Sequence, residues 1–113
     1  MGYRVAKQVR FLEKTVDLVG ARAPRPDLVT VELKVMDWQR AVRQAYLNQV
    51  LGRQAYIAIH DGFVHRVDTR LLESAGIGLM RVGMRAQIVL EPRRSKVENG
   101  ILASRLWGLV MET

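Results

Sequence analysis

The chain opens on alternation at period two. Over residues 3–12, Tyr3, Val5, Lys7, Val9 and Phe11 alternate with Arg4, Ala6, Gln8, Arg10 and Leu12, which predicts a first strand. Residues 14–19 (KTVDLV) predict a second strand that stops at Gly20. The stretch 21–27 holds Pro24 and Pro26, and two prolines so close cannot sit in a ladder, so it reads as a turn. A third strand follows over residues 28–35, with Val29, Val31, Leu33 and Val35 on one face and Thr30, Glu32 and Lys34 on the other.

The period then changes. Asp37 is a good helix cap, and Trp38, Ala41, Val42 and Ala45 recur at i, i+3, i+4 and i+7, predicting a helix to about Leu51 that Gly52 ends. Residues 55–59 (AYIAI) form a short, nearly all-apolar run, the kind buried on both faces of an α/β sheet. Residues 63–75 look helical, with Val64, Val67, Leu71 and Leu72 on one side and Gly76 closing the segment. Residues 77–82 and 87–91 predict two more strands before Pro92. For residues 101–111 a helix with Leu102, Leu106, Leu109 and Val110 inward competes with a hairpin at Asn99-Gly100. The helix is preferred, because no long alternating run follows.

The order βββ-α-β-α-β-β-(α) describes an α/β (α+β) domain with a central mixed sheet flanked by helices. At 113 residues the chain has the length of one domain, 1–113, and 49% hydrophobic with 26% charged residues is the composition of a packed globule. No apolar run approaches the roughly 20 residues that span a bilayer, and the first residues lack the apolar stretch of a secretion signal. The expectation is a cytoplasmic protein that does not bind membrane. Cysteine is absent, which removes disulfides and thiolate metal sites.

Charge changes the picture more. Eighteen Lys plus Arg against eleven Asp plus Glu leave +7, an excess that favours a polyanionic partner, with nucleic acid ahead of a bland basic surface. Fourteen of those cations are Arg, whose planar fork suits phosphate, although codon usage in a GC-rich genome gives the same bias. Two Trp, three Tyr and two Phe argue against a base-stacking platform for single strands. The basic clusters are Arg22 and Arg25 in the hairpin, Arg40 and Arg43 on the first helix, and Arg93, Arg94 and Lys96 after Pro92. No helix-turn-helix is evident, so contacts to backbone or shape are expected.

Glu32 and Lys34 admit two readings. They are the wet face of an ordinary strand, joined by a weak surface ion pair, or they belong to a site. Asp17 bears on the choice. If the second and third strands form a hairpin, paired positions sum to about 48 or 49, and only the odd sum puts Asp17 and Glu32 on one face. Opposed like charges repel, and a divalent cation would remove the repulsion. A helix-covered sheet also leaves little room for a wet central strand, and unpartnered buried charges cost several kcal/mol.

Asp17 in TVDLV with Glu32-x-Lys34 in VELKV resembles the PD-(D/E)XK nuclease superfamily of restriction endonucleases and Holliday junction resolvases. The helix DWQRAVRQAYLN, carrying Gln44, looks like the one that supplies the family's fourth motif residue, and the later strand–helix–strand part extends the resemblance to about residue 95. The resemblance implies a restriction endonuclease-like fold hydrolysing phosphodiesters. Asp17 and Glu32 would bind Mg²⁺ or Mn²⁺, Lys34 would orient or help deprotonate the attacking water, and Gln44 would be accessory. The alternative is a nuclease-like domain that binds DNA or a protein without cutting. Small nucleases of this type often act as dimers, so the resemblance also implies a homodimer, with residues 101–111 and Trp107 serving that interface or covering the core. Members usually begin with a helix, whereas here two residues precede the first strand, so the expectation is that this N-terminal helix is missing or supplied by another chain. Asp27, five residues from Glu32 and about 16 Å away along an extended strand, reads as a turn residue. His60 and His65, five apart across Gly62, do not converge on a metal.

Overall fold

The computed structural model of the chain describes residues 2–23 and 27–112. Three antiparallel strands come first: β1 (Arg4–Phe11), β2 (Lys14–Arg22) and β3 (Asp27–Lys34). Helix α1 (Trp38–Asn48) leads to β4 (Gln54–His60), then a 3-10 turn (Asp61–Arg66) and α2 (Thr69–Ala75) lead to β5 (Gly78–Val82). Strand β6 (Ala86–Leu90) and helix α3 (Gly100–Met111) complete the order. The strands form one mixed sheet in the order β1-β2-β3-β4-β5-β6, with β3, β4 and β5 parallel and β6 antiparallel to β5.

Local chemistry explains the element ends. The Asp37 side chain accepts the Arg40 N–H at 3.2 Å and starts α1. Strand β2 continues through Gly20, which pairs with Val5 on one side and Val29 on the other, so that glycine interrupts nothing. The single helix expected over residues 63–75 is two pieces. Val67 is extended, and the Asp68 side chain caps a new helix by accepting from Arg70 and Leu71 N–H groups, so its local bonds displace a continuing helical turn. Gly76, at φ 75°, closes α2 in the left-handed region that glycine enters without a Cβ penalty. The tail is helical as expected, with Asn99 accepting from Ile101 and Leu102 N–H groups, and it covers the core with Leu102, Leu106 and Val110, while Leu109, expected inward, is exposed.

All the helices among the described residues lie on one face of the sheet. Ala41 and Ala45 of α1 and Leu72 of α2 pack with Ile57, Ile59 and Leu79. Ala103, Leu106 and Val110 of α3 pack with Val19, Ala21 and Leu28. The register makes these one face, because Val19 is opposite Thr30, Ala21 is opposite Leu28, and Glu32 pairs with Ile57. Two parallel crossovers of the same hand, running β3 to β4 to β5 in one direction, account for α1 and α2 sharing it. On the other face Val31, Tyr56 and Ala58 pack with Leu18, Val29, Met80 and Val82, and no helix residue joins them.

This arrangement overturns the wet-face reading of β3. The apolar row Val29, Val31, Leu33 looks to the uncovered side, with Leu33 39% exposed, whereas Thr30 and Glu32 are 0% and 1% exposed beneath the helices. A polar strand face is buried, and its polar atoms need partners.

Candidate functional site

Alternation along β2 slips at one position. Val16 and Val19 are three residues apart, yet both are fully buried in the same cluster. The slip falls at Asp17. Facing it on β1, Gln8 takes a positive φ of 50°, and regular pairs resume on either side as Lys7↔Leu18 and Val9↔Val16. Turn residues Leu12 and Glu13 also have positive φ. Non-glycine residues enter this region at a cost, so the β1–β2 arm holds the strained backbone of the described chain.

The β2–β3 pairs sum to 49, the odd register, and the ladder stops at Leu18↔Val31. Asp17 therefore stands beside Glu32 but outside a regular cross-strand pair. Its carboxylate takes the place of a ladder carbonyl: Oδ2 accepts the N–H of Leu33 at 2.9 Å, and Oδ1 accepts from Gln8 Nε2 at 3.2 Å.

Glu32 lies under α1. Its Oε2 accepts from Asn48 Nδ2 at 2.8 Å, while its Oε1 has no hydrogen-bond partner. Burial pushes the carboxyl above the ordinary glutamate range. The Asn48 hydrogen bond opposes that push, the Asp17 charge adds to it, and the Lys14 charge and the Asp17 backbone N–H act against it. Three more buried oxygens on β3 and α1 lack partners among the described residues: Thr30 Oγ1, Gln44 Oε1 and Asn48 Oδ1. Thr30 and Glu32 share a face of β3, and Gln44 and Asn48 are one turn apart on α1. Lys14 reaches across from β2, its Nζ donating to the Gln44 carbonyl at 3.4 Å. Lys34 is on the Glu32 face by strand alternation and is half-buried, like Asp17 and Lys14.

The donor set is thus two carboxylates with amide and hydroxyl oxygens. No group of three Asp, Glu, His or Cys able to hold a metal occurs among the described residues. Mg²⁺ uses one or two carboxylates and keeps several waters, so partnerless buried oxygens around one carboxylate fit it. The structure thus brings Asp17, Glu32 and Gln44 to one end of the β2–β3–α1 layer, with Lys14 the cation that acts on Glu32, whereas Lys34 lines a separate cavity with Leu33, Val35, Ala58, His60 and Val82. Thr30, Asn48, Lys14 and Gln8 belong with them and were not singled out from sequence. Asn48 carried a signal, being a polar residue three positions beyond Ala45 on the buried stripe. Gln8 carried none.

The basic residues do not gather around the carboxylates. Arg40 and Arg43 are exposed on α1. Arg22 is ion-paired with Asp27 at 2.6 Å and lies over the Tyr3 ring at 4.7 Å. Arg93 donates to the Glu73 and Ser74 carbonyls, ending α2. Arg94 and Lys96 are exposed, and Arg25 lies outside the described residues. His60 accepts the Gly62 N–H at 3.1 Å and His65 sits exposed in the 3-10 turn, in keeping with strand-end and loop roles. No helix among the described residues is long and apolar enough to cross a membrane.

No family model and no curated protein matches the chain. Among solved structures, the SPO1766 protein of unknown function from Silicibacter pomeroyi is similar, with a TM-score of 0.71 and 20% sequence identity over 98% of this chain and 73% of that one. At that identity the likeness concerns the fold alone.

Proposed function

We propose that the chain is a metal-dependent phosphodiesterase of the PD-(D/E)XK type acting on nucleic acid, with DNA the first substrate class to test. The observation that carries this reading is Glu32, 1% exposed with Oε1 unpartnered, beside Asp17 and among the orphaned oxygens of Gln44, Asn48 and Thr30. An apolar fold gains nothing from such a cluster, since each buried polar atom left unpaired costs about 1–3 kcal/mol. A cation bound by Asp17 and Glu32 resolves that cost.

When bound there, Mg²⁺ or Mn²⁺ supplies a Lewis acid that polarises the scissile phosphate and acidifies the attacking water. Asn48 fixes the Glu32 carboxylate through Oε2, and Leu33 N–H with Gln8 fixes Asp17. Lys34 orients the water and balances negative charge building on the phosphoryl oxygens. Gln44 offers its side-chain oxygen to a water in the site. Arg40 and Arg43, exposed on the helix that follows Lys34, meet flanking phosphates.

The test is cleavage of mixed DNA substrates with Mg²⁺ or Mn²⁺ by wild type, Lys34→Ala and Asp17→Ala. Metal-dependent cutting that falls at least a hundredfold in both variants supports the reading. Salt-sensitive binding without any cutting replaces it with the alternative, a nuclease-like binding domain.

A further inference from the structure

Half-buried Arg53, whose guanidinium has no carboxylate partner among the described residues, lies at the N-terminal end of β4 and was not conspicuous in the sequence. It lines a cavity of about 220 Å³ with Tyr3, Arg22, Asp27, Gln54 and Arg94. Three guanidiniums face one carboxylate there, and that carboxylate is already held by Arg22 and by the Tyr3 hydroxyl at 3.2 Å. A second cavity of about 250 Å³ adjoins it through Arg94 and is lined by Arg93, Lys96 and Tyr46 but by no acidic residue. Tyr46 is 61% exposed, so much of its side chain is open to a ligand.

The backbone that presents these groups is pinned. Arg53 N–H donates to Leu28 O at 3.0 Å, Ser95 N–H donates to Arg53 O at 2.7 Å, and Ser95 Oγ donates to Gln49 O at 2.6 Å. The loop after β6 is thereby laid across the starts of β3 and β4, and Arg94 is brought to Arg53 at little cost in ordering when a ligand arrives.

We infer that Arg53, Arg94, Lys96 and Tyr46 form a binding surface for a single-stranded nucleic acid segment, with phosphates at the Arg53–Arg94 cavity and a base stacked on Tyr46. This deepens the proposed function and rests on its nucleic-acid reading, while needing neither metal nor Glu32. Two adjoining basic cavities sharing one arginine suit successive phosphates, and an exposed tyrosine beside them supplies the π-face that a duplex, with its bases stacked inside, cannot use. The few aromatics of the chain matter less than where this one stands.

The test is fluorescence anisotropy of a labelled oligo-dT twelve-mer in EDTA across a salt series, with cleavage assayed separately in Mn²⁺. Arg94→Ala and Lys96→Ala, both at exposed positions, lower affinity and reduce the log–log salt slope by about 0.7 for each phosphate no longer neutralised. Tyr46→Ala weakens binding about tenfold at every salt with the slope unchanged. Arg105→Ala, exposed on α3, changes neither. Undiminished binding in the Arg94, Lys96 and Tyr46 variants overturns the inference even if Mn²⁺ cleavage is present. Equal affinity for the blunt duplex, or full displacement by polyphosphate with a silent Tyr46→Ala, also overturns it. Losses as described without cleavage by wild type sustain this surface and reject the nuclease reading.

Discussion

At the scale of the residue, Glu32 is the most informative position, because its surroundings disfavour its charge. Its folded carboxyl holds its proton to higher pH than the unfolded chain does. Between those two values the unfolded state binds fewer protons, so stability falls as pH rises through the window and is highest below it. In a chelator, Tm should therefore drop as pH climbs above the ordinary glutamate range. Glu32→Gln should flatten that slope and raise neutral-pH stability by on the order of 1 kcal/mol, a few degrees for a chain of this length. Mn²⁺ should raise the Tm of the wild type at neutral pH and leave Glu32→Gln unmoved; thermal melts at several pH values, with and without Mn²⁺, read all of this. A pH-independent wild type would mean that Asn48 and Lys14 compensate the charge fully. Asp17 teaches a different lesson. Counting register left two options open, and the structure takes the odd one; the way Asp17 reaches its place, through a slipped pleat opposite a left-handed Gln8, follows from nothing local, since glutamine carries no turn signal.

At the scale of the element, the order of strands and helices was legible because each hydrophobic period is written within one segment and punctuated by Asp37 and Gly76, although α1 ends at Asn48, short of the Gly52 expected to close it. The face each strand buries was not. In β3 the valines look like a core row, but which side of a sheet is covered depends on the handedness of the crossovers, a property of β3, α1 and β4 together. The break at Asp68 was missed for a related reason, since an aspartate within an apolar helical pattern can start a helix as readily as sit in one. Close packing at element junctions yields a further prediction. A Cβ added at Gly78 on β5 would lie 2.7 Å from the Tyr56 ring and 2.9 Å from Pro92 Cδ. Tyr56 is itself buried, its hydroxyl pushed up to about 12 by burial and by the charge and hydrogen bond of Glu91, so its ring has little room to yield. Gly78→Ala should cost about 1–3 kcal/mol and lower Tm accordingly, measurable by urea or thermal unfolding.

At the scale of the whole molecule, the two candidate surfaces occupy different parts of β3. The Arg53–Arg94 cavity includes Asp27, at the first residue of the strand, while Glu32 lies five residues on, about 16 Å by strand rise. That exceeds the Debye length of about 10 Å at 0.1 M salt, so the arginines neither screen nor strengthen the carboxylates appreciably at ordinary ionic strength. No reading of sequence alone could have made this separation, because Arg53 and Arg94 are 41 positions apart and meet only through the Ser95–Arg53 and Ser95–Gln49 hydrogen bonds. Metal and nucleic-acid binding should then be thermodynamically separable. Arg94→Ala should leave Mn²⁺ affinity, measured by calorimetry at 0.15 M salt, within about twofold of wild type, and Glu32→Gln should leave metal-free oligonucleotide binding equally unchanged. Combining the two substitutions should add their free-energy effects to within about 0.5 kcal/mol. A larger coupling would mean that the slipped β2–β3 junction transmits strain along the strand, making the two surfaces parts of one site.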